Sequence, residues 1–184
     1  LLKAMSKLTS DFAILKVFSA IPYAIILILS TLKLRRDYGW LTAGLFAFAL
    51  AVMSEFLITY SLLRPYSWAM LFTLLAFIFF KDIISNADKK SFVLFTVFSI
   101  LASYTHYYGL IATIVLYLIL LFHILTYDKD KIKYWGISIV AAIVLYAPWI
   151  PTLIKLLGSM NPMGKLTSDS IVQSLAHFAY SGDT

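Results

Sequence analysis

Two apolar stretches of this chain, Trp40–Ile84 and Phe92–Thr126, are far too long to be single membrane crossings, and clusters of lysine and arginine bound them. A helix rising about 1.5 Å per residue needs about 20 apolar residues to cross a hydrocarbon core of about 30 Å. Each long stretch must therefore double back. Two further apolar runs, Phe12–Leu34 and Tyr134–Ile150, have the length of one crossing. Of the 184 residues 61% are hydrophobic and 13% are charged. Soluble domains are about 45–50% apolar and about 25% charged. A fold of this size cannot hide so much apolar surface from water, so the solvent is lipid.

The basic residues set the topology. Lys33, Arg35 and Arg36 form one cluster, Lys81, Lys89 and Lys90 a second, and Lys129, Lys131 and Lys133 a third. The positive-inside rule places all three in the cytoplasm. Both long stretches then start and finish inside, with their turning points outside. In the first the break is Tyr60–Tyr66, where Pro65 removes a backbone donor and pushes Arg64 out of the helical region. In the second it is Tyr104–Gly109, where Gly109 is expected to supply the turn. An all-α, polytopic fold follows, with about six crossings: roughly 12–34, 40–59, 66–84, 92–105, 108–126 and 134–150. The fourth is short and is expected to tilt. Residues 1–151 form the transmembrane region and 152–184 an external segment. That segment reads as a loop carrying Gly158, Pro162 and Gly164, then an interfacial helix from Asp169 to Tyr180 capped by Ser168. The net charge of +6 belongs to this topology, and no nucleic-acid partner is implied. Cysteine is absent, which excludes disulfides and thiolate metal sites. The chain opens on Leu-Leu-Lys-Ala and shows no signal peptide; it reads as part of a longer protein.

Polar residues that could carry chemistry collect on the outer side. Arg64 offers a planar fork of donors suited to phosphate, with the hydroxyls of Tyr60 and Tyr66 beside it and a helix start near Pro65. The plainer alternative is an arginine that snorkels to the headgroups. His106 sits at the other outer turn, framed by Tyr104, Thr105, Tyr107 and Tyr108. It is either a phosphate ligand or proton carrier, or a hydrogen-bonded turn residue. Glu55, the single glutamate, is read as a partner for Arg64, with a general base or metal ligand as the alternative. His123 near the inner interface is read as structural and His177 as solvated. Trp149, between Pro148 and Pro151, is read as an interface anchor, and Lys155 and Lys165 add charge for an anionic head. There is no Gly-rich phosphate loop, His-x-x-x-His or paired-carboxylate motif.

Three segments taken in order, Arg64-Pro65-Tyr66-Ser67, Tyr104-Thr105-His106-Tyr107-Tyr108-Gly109 and Ala147-Pro148-Trp149-Ile150-Pro151, resemble the dolichyl-phosphate-mannose-protein mannosyltransferase-like family. This is a group of GT-C fold glycosyltransferases related to the aminoarabinose transferases acting on lipid A. Leu15–Ala20 also looks like the entry to that family's early transmembrane helix, so the resemblance spans roughly Ser10 to Tyr180. It implies an enzyme that moves a sugar from a polyprenyl-phosphate donor to a glycan, lipid or protein acceptor on the periplasmic, extracellular or lumenal face. By the same resemblance Arg64 and Tyr66 contact the carrier phosphate, with Tyr60 beside them, and His106 and Tyr107 line the same cavity. The family's acidic catalytic residue is expected upstream of Leu1, since Asp11 is poorly placed for that role. The glutamate that usually precedes the arginine is replaced by Leu62 and Leu63. No cofactor is assigned, and a divalent metal is left open. The alternative is a transporter or lipid-handling protein without transferase chemistry. A third reading is a structural membrane subunit.

Overall fold

The computed structural model describes residues 12–52, 66–86 and 89–159 of the chain. Among them there is no strand. The helices are α1 (Phe12–Val52), α2 (Tyr66–Asn86), α3 (Lys89–Thr105), α4 (Tyr107–Tyr127), α5 (Ile132–Tyr146) and α6 (Ile150–Ser159). Short 3-10 turns, Lys129–Lys131 and Ala147–Trp149, precede α5 and α6. Four helical stretches are long and apolar enough to cross a membrane: Lys16–Ala49, Tyr66–Ser85, Tyr107–Tyr127 and Lys129–Lys155.

α1 is two arms joined at Gly39, whose φ of 86° and ψ of 177° break the helix. Side chains with a Cβ rarely adopt that φ, so a glycine makes the corner. The basic residues expected in a first loop thus stand elsewhere. Lys33, Arg35 and Arg36 lie in the last turns of the first arm, because lysine, arginine and leucine are good helix formers and only Gly39 interrupts them. Likewise Lys81 lies within α2, Lys89 and Lys90 open α3, and Lys133 lies in α5. The turn between α3 and α4 also differs from expectation. His106 alone separates the two helices, and Gly109 is helical within α4. Gly109 serves close packing instead: a Cβ there would collide with the Ala102 backbone of α3.

Side-chain pairs give the direction of each helix. Ser67 Oγ donates to the Ser19 carbonyl at 2.8 Å, and Lys33 pairs with Asp82 at 3.5 Å. The first arm of α1 and α2 therefore run parallel. α4 is antiparallel to α3, since Ser103 meets Thr113 and Phe95 meets Tyr117. α5 is parallel to α3, with Phe92 against Tyr134, Thr96 against Ser138 and Tyr104 against Tyr146. Between α2 and α4, Tyr66 meets His106 at one end, and the Lys131 ammonium just after α4 reaches the Ile83 carbonyl near the end of α2.

These directions sort the polar residues. One end carries the three basic clusters with Asp37, Asp82 and Asp128, tied by Lys81–Asp37 at 3.2 Å and Lys131–Asp128 at 2.8 Å, while Lys16 lies toward the other end, three residues before Ser19. Such partly exposed pairs contribute about 0–1 kcal/mol each, so they set register more than stability. The other end carries Tyr66, Tyr104, His106, Tyr107, Tyr108 and Tyr146.

Between the two ends small hydroxyl residues are buried among apolar core side chains, and large apolar residues also face outward. Buried positions include Ser19, Ser67, Thr96, Ser99, Ser103, Thr113 and Ser138, whereas Leu118, Phe122, Ile137 and Val144 face outward. Phe122 is 72% exposed. Small hydroxyl residues let helices approach and hydrogen-bond across the contact, and apolar residues cover the outside; this arrangement suits a lipid solvent. Thr96 and Ser138 share a hydrogen bond at 2.5 Å, and the Tyr117 hydroxyl joins Ser138 at 2.8 Å. Each such interhelical bond is worth about 0.6 kcal/mol. Around this network Phe80, Ile83, Phe92, Phe95, Leu120 and Ile124 form the apolar core.

A second compact unit, Pro148–Thr184, follows. Within it α6 occupies Ile150–Ser159, where the sequence suggested a loop after Pro151. Proline in the first turn is compatible with a helix because its missing donor has no partner there anyway. The interfacial helix expected over 169–180 lies outside the described residues.

Candidate functional site

α2 and α4 start side by side at the tyrosine end and leave a groove between them of about 680 Å³. Its head is made by Tyr66, His106 and Tyr108. Its walls descend through Ala69, Thr73 and Phe77 on α2 and Ala112, Val115 and Leu116 on α4. Sequence dictates the opening. Ala69, Thr73, Gly109 and Ala112 are the small residues among its lining, and they leave space between the two parallel helices. From Tyr66 to Phe77 the groove runs about 17 Å along α2 at 1.5 Å per residue. Among the described residues that line it, the polar side chains are at the head, apart from Thr73. Among the described residues no charged side chain lines it.

His106 organises the head. It is the N-cap of α4, with extended backbone at φ −158° and ψ 147°. Its Nδ1 accepts a hydrogen bond from the Tyr108 backbone N–H at 3.2 Å. An accepting Nδ1 carries no proton, so the neutral ring is protonated at Nε2 and presents an N–H donor there. Burial holds the His106 pKa below its ordinary value. The positive end of the α4 dipole opposes protonation as well. Three tyrosine rings surround the imidazole, with centroids 4.8 Å away for Tyr66, 4.2 Å for Tyr107 and 5.1 Å for Tyr108.

The site residues read from the sequence fall into two groups. Tyr66 at the start of α2 and His106 and Tyr107 at the start of α4 are brought together. Arg64, Tyr60 and Glu55 lie outside the described residues, as do Asp11, Lys165 and His177. Within the cluster, Tyr108 rather than Tyr107 lines the groove, while Tyr107 stacks on His106 and Tyr108. The signal for Tyr108 was present in the sequence: N-cap spacing puts the second residue after the cap over the helix start.

The remaining candidates stand apart. His123 Nε2 lies 3.6 Å from Asp128 Oδ2 at the opposite end, where Asp128 also accepts from Lys131. The Lys131 hydrogen bond holds the Asp128 carboxyl below its usual pKa. His123 thus belongs to a clasp between α4 and the 3-10 turn that follows. Trp149 lies in the 3-10 turn before α6, and Lys155 is exposed on α6. Among the described residues no group of three His, Asp or Glu side chains is arranged to hold a metal ion.

Taken together, fold and groove define an all-helical protein compatible with a membrane location, with a lateral apolar groove headed by an uncharged imidazole and tyrosines. No protein family, curated protein or solved structure matches the chain.

Proposed function

We propose that this chain is part of a membrane glycosyltransferase that takes a sugar from a polyprenyl-phosphate donor on the outer or lumenal face. One observation carries the reading: a long apolar groove, open sideways, ends at a cluster of hydrogen-bonding groups. That is the shape of a ligand with an apolar tail and a polar head. In this reading the chain crosses six times, with the lysine end in the cytoplasm and the tyrosine end outside. Its second crossing is the run 40–59, as the sequence expects. The polyprenyl tail enters between α2 and α4 from the bilayer, and the phosphate rests against His106 Nε2–H and the hydroxyls of Tyr66 and Tyr108. Arg64, two residues before α2, supplies the cation, with Tyr60 nearby. As the sugar leaves, charge grows on the phosphate, and donors already in place stabilise it. The acidic base that deprotonates the acceptor comes from upstream of Leu1, as the family resemblance implies.

The lack of a carboxylate at the groove head among the described residues favours one other reading, a lipid-handling protein that binds the same ligand without transfer. The full-length protein, reconstituted with a radiolabelled polyprenyl-phosphate sugar, separates the two. Transfer to an acceptor is expected, and Arg64→Ala should lower it about 100-fold or more while the protein stays folded. Binding without any release of sugar would select the lipid-handling reading. Full activity in Arg64→Ala would remove Arg64 from the site.

A further inference from the structure

A second cleft, of about 280 Å³, lies between α3 and α5 and is lined by neither helix of the groove. Val93, Ile137 and Leu145 line it and are each more than half exposed, so it opens sideways. Thr96 and Ser138 line it too, but their hydroxyls bond each other, and Ser138 Oγ also bonds the Tyr117 hydroxyl. The body of the cleft therefore suits an apolar chain.

Its mouth is cationic. Lys89, the first residue of α3, holds its ammonium 5.6 Å from the centroid of the Tyr134 ring of α5, and both residues line the cleft. Lys90 stands one turn before Val93 and Lys133 one turn before Ile137, so helical spacing sets both beside the same mouth. In the sequence, Asp88–Lys90 and Asp128–Lys133 hold five lysines against three aspartates, and Asp128 is engaged by Lys131. Neither α3 nor α5 has a carboxylate in its first turn. Lysines at a helix start oppose the positive end of its dipole, and both helices start here, so the mouth is short of negative charge.

Charge and length together identify the occupant. From Lys89 to Ile100 the cleft runs about 16 Å along α3 at 1.5 Å per residue. One leaflet is about 15 Å deep, half of a hydrocarbon core of about 30 Å. Cations at headgroup level above an apolar cleft one leaflet deep complement a lipid with an anionic head and an acyl tail. Basic pockets between transmembrane helices on the cytoplasmic side are a recurrent site for such heads. We propose that this cleft binds one anionic phospholipid, its phosphate at Lys89 and one acyl chain along α3 and α5. This rests on the lysine end lying at a headgroup layer, as in the preceding reading, and not on sugar transfer.

The test uses the full-length protein in phosphatidylcholine vesicles that contain no polyprenyl lipid. The probes are phosphatidylglycerol and phosphatidylcholine, each with the same photoactivatable diazirine midway along one acyl chain and each added at the same low mole fraction. Labelling is mapped by mass spectrometry on 89–100 and 134–145. Peptide 118–127 is the reference, because Leu118, Phe122 and Leu125 face outward on α4 toward the same end. Relative to that reference, the phosphatidylglycerol probe is expected to label the cleft several-fold more than the phosphatidylcholine probe. Lys89→Gln should remove most of the excess, and Lys89→Arg should retain it. Ala141→Leu, which fills the cleft and leaves the lysines in place, should lower labelling by the phosphatidylglycerol probe. Equal labelling by the two probes, no labelling of the cleft by either, or an excess that survives in Lys89→Gln or Ala141→Leu overturns the proposal. So does displacement of the label by polyprenyl phosphate and not by unlabelled phosphatidylglycerol, which would assign the cleft to the carrier lipid. Because no donor sugar is present, failure here leaves the transferase reading standing.

Discussion

At the scale of single residues the decisive group is His106, which caps α4 through Nδ1 and leaves Nε2–H as a neutral donor. The sequence showed a histidine among tyrosines at a turn, and so the candidate itself was legible. Its tautomer was not, because that depends on which backbone N–H the ring meets once α4 starts at Tyr107. The pH dependence follows with a definite sign. The His106 pKa lies below its ordinary 6.5, so the cap contributes in full above that value. As pH falls from 6.5 through the lowered His106 pKa, protonation removes the acceptor at Nδ1 and the contribution is lost. His106→Asn keeps a capping oxygen and does not titrate, and N-caps contribute about 1 kcal/mol. Measured by thermal unfolding in detergent between pH 8 and pH 5, wild type should lose stability relative to His106→Asn on the acidic side. Curves that run parallel across that range would deny His106 its capping role.

At the scale of elements, run lengths gave the positions of α2 to α5, since lipid leaves an apolar run little choice but to be helical, whereas most of the basic residues expected in loops lie within helices. Two glycines were misread or passed over. Gly39 makes the corner in α1 with a positive φ, in a stretch where the charges drew attention instead. Gly109 was given the turn that His106 makes, because sequence alone does not separate a glycine needed for backbone freedom from one needed for close approach. The two uses respond differently to substitution. Gly109→Ala places a methyl against the Ala102 backbone and should destabilise by about 1–3 kcal/mol. Gly136→Ala, in α5, meets nothing within 4 Å and should stabilise by about 0.5–1 kcal/mol. Thermal unfolding of both variants in one detergent checks the pair. Equal effects would mean that the α3–α4 contact does not depend on Gly109.

For the whole molecule, the arrangement rests on helix direction. α1's first arm, α2 and α4 run one way while α3 and α5 run the other, so Tyr66 and His106 meet at the starts of α2 and α4. The sequence reached this through lysine counting, and the structure reaches it through side-chain pairs that lysine counting never used. The apolar body of the groove was not legible, because it depends on which small residues face each other across α2 and α4. The claim on which the rest depends is that both hairpin tips open on the face away from the lysines. The chain has no cysteine, so single cysteines can be introduced without background. Tyr66→Cys, Tyr108→Cys, Lys89→Cys and Lys129→Cys, each in the full-length protein in intact cells, are treated with a membrane-impermeant maleimide. Positions 66 and 108 should react from outside, with 89 and 129 reacting only after permeabilisation. Labelling of 66 and 108 from opposite sides, or of either together with 89 and 129, would contradict the account.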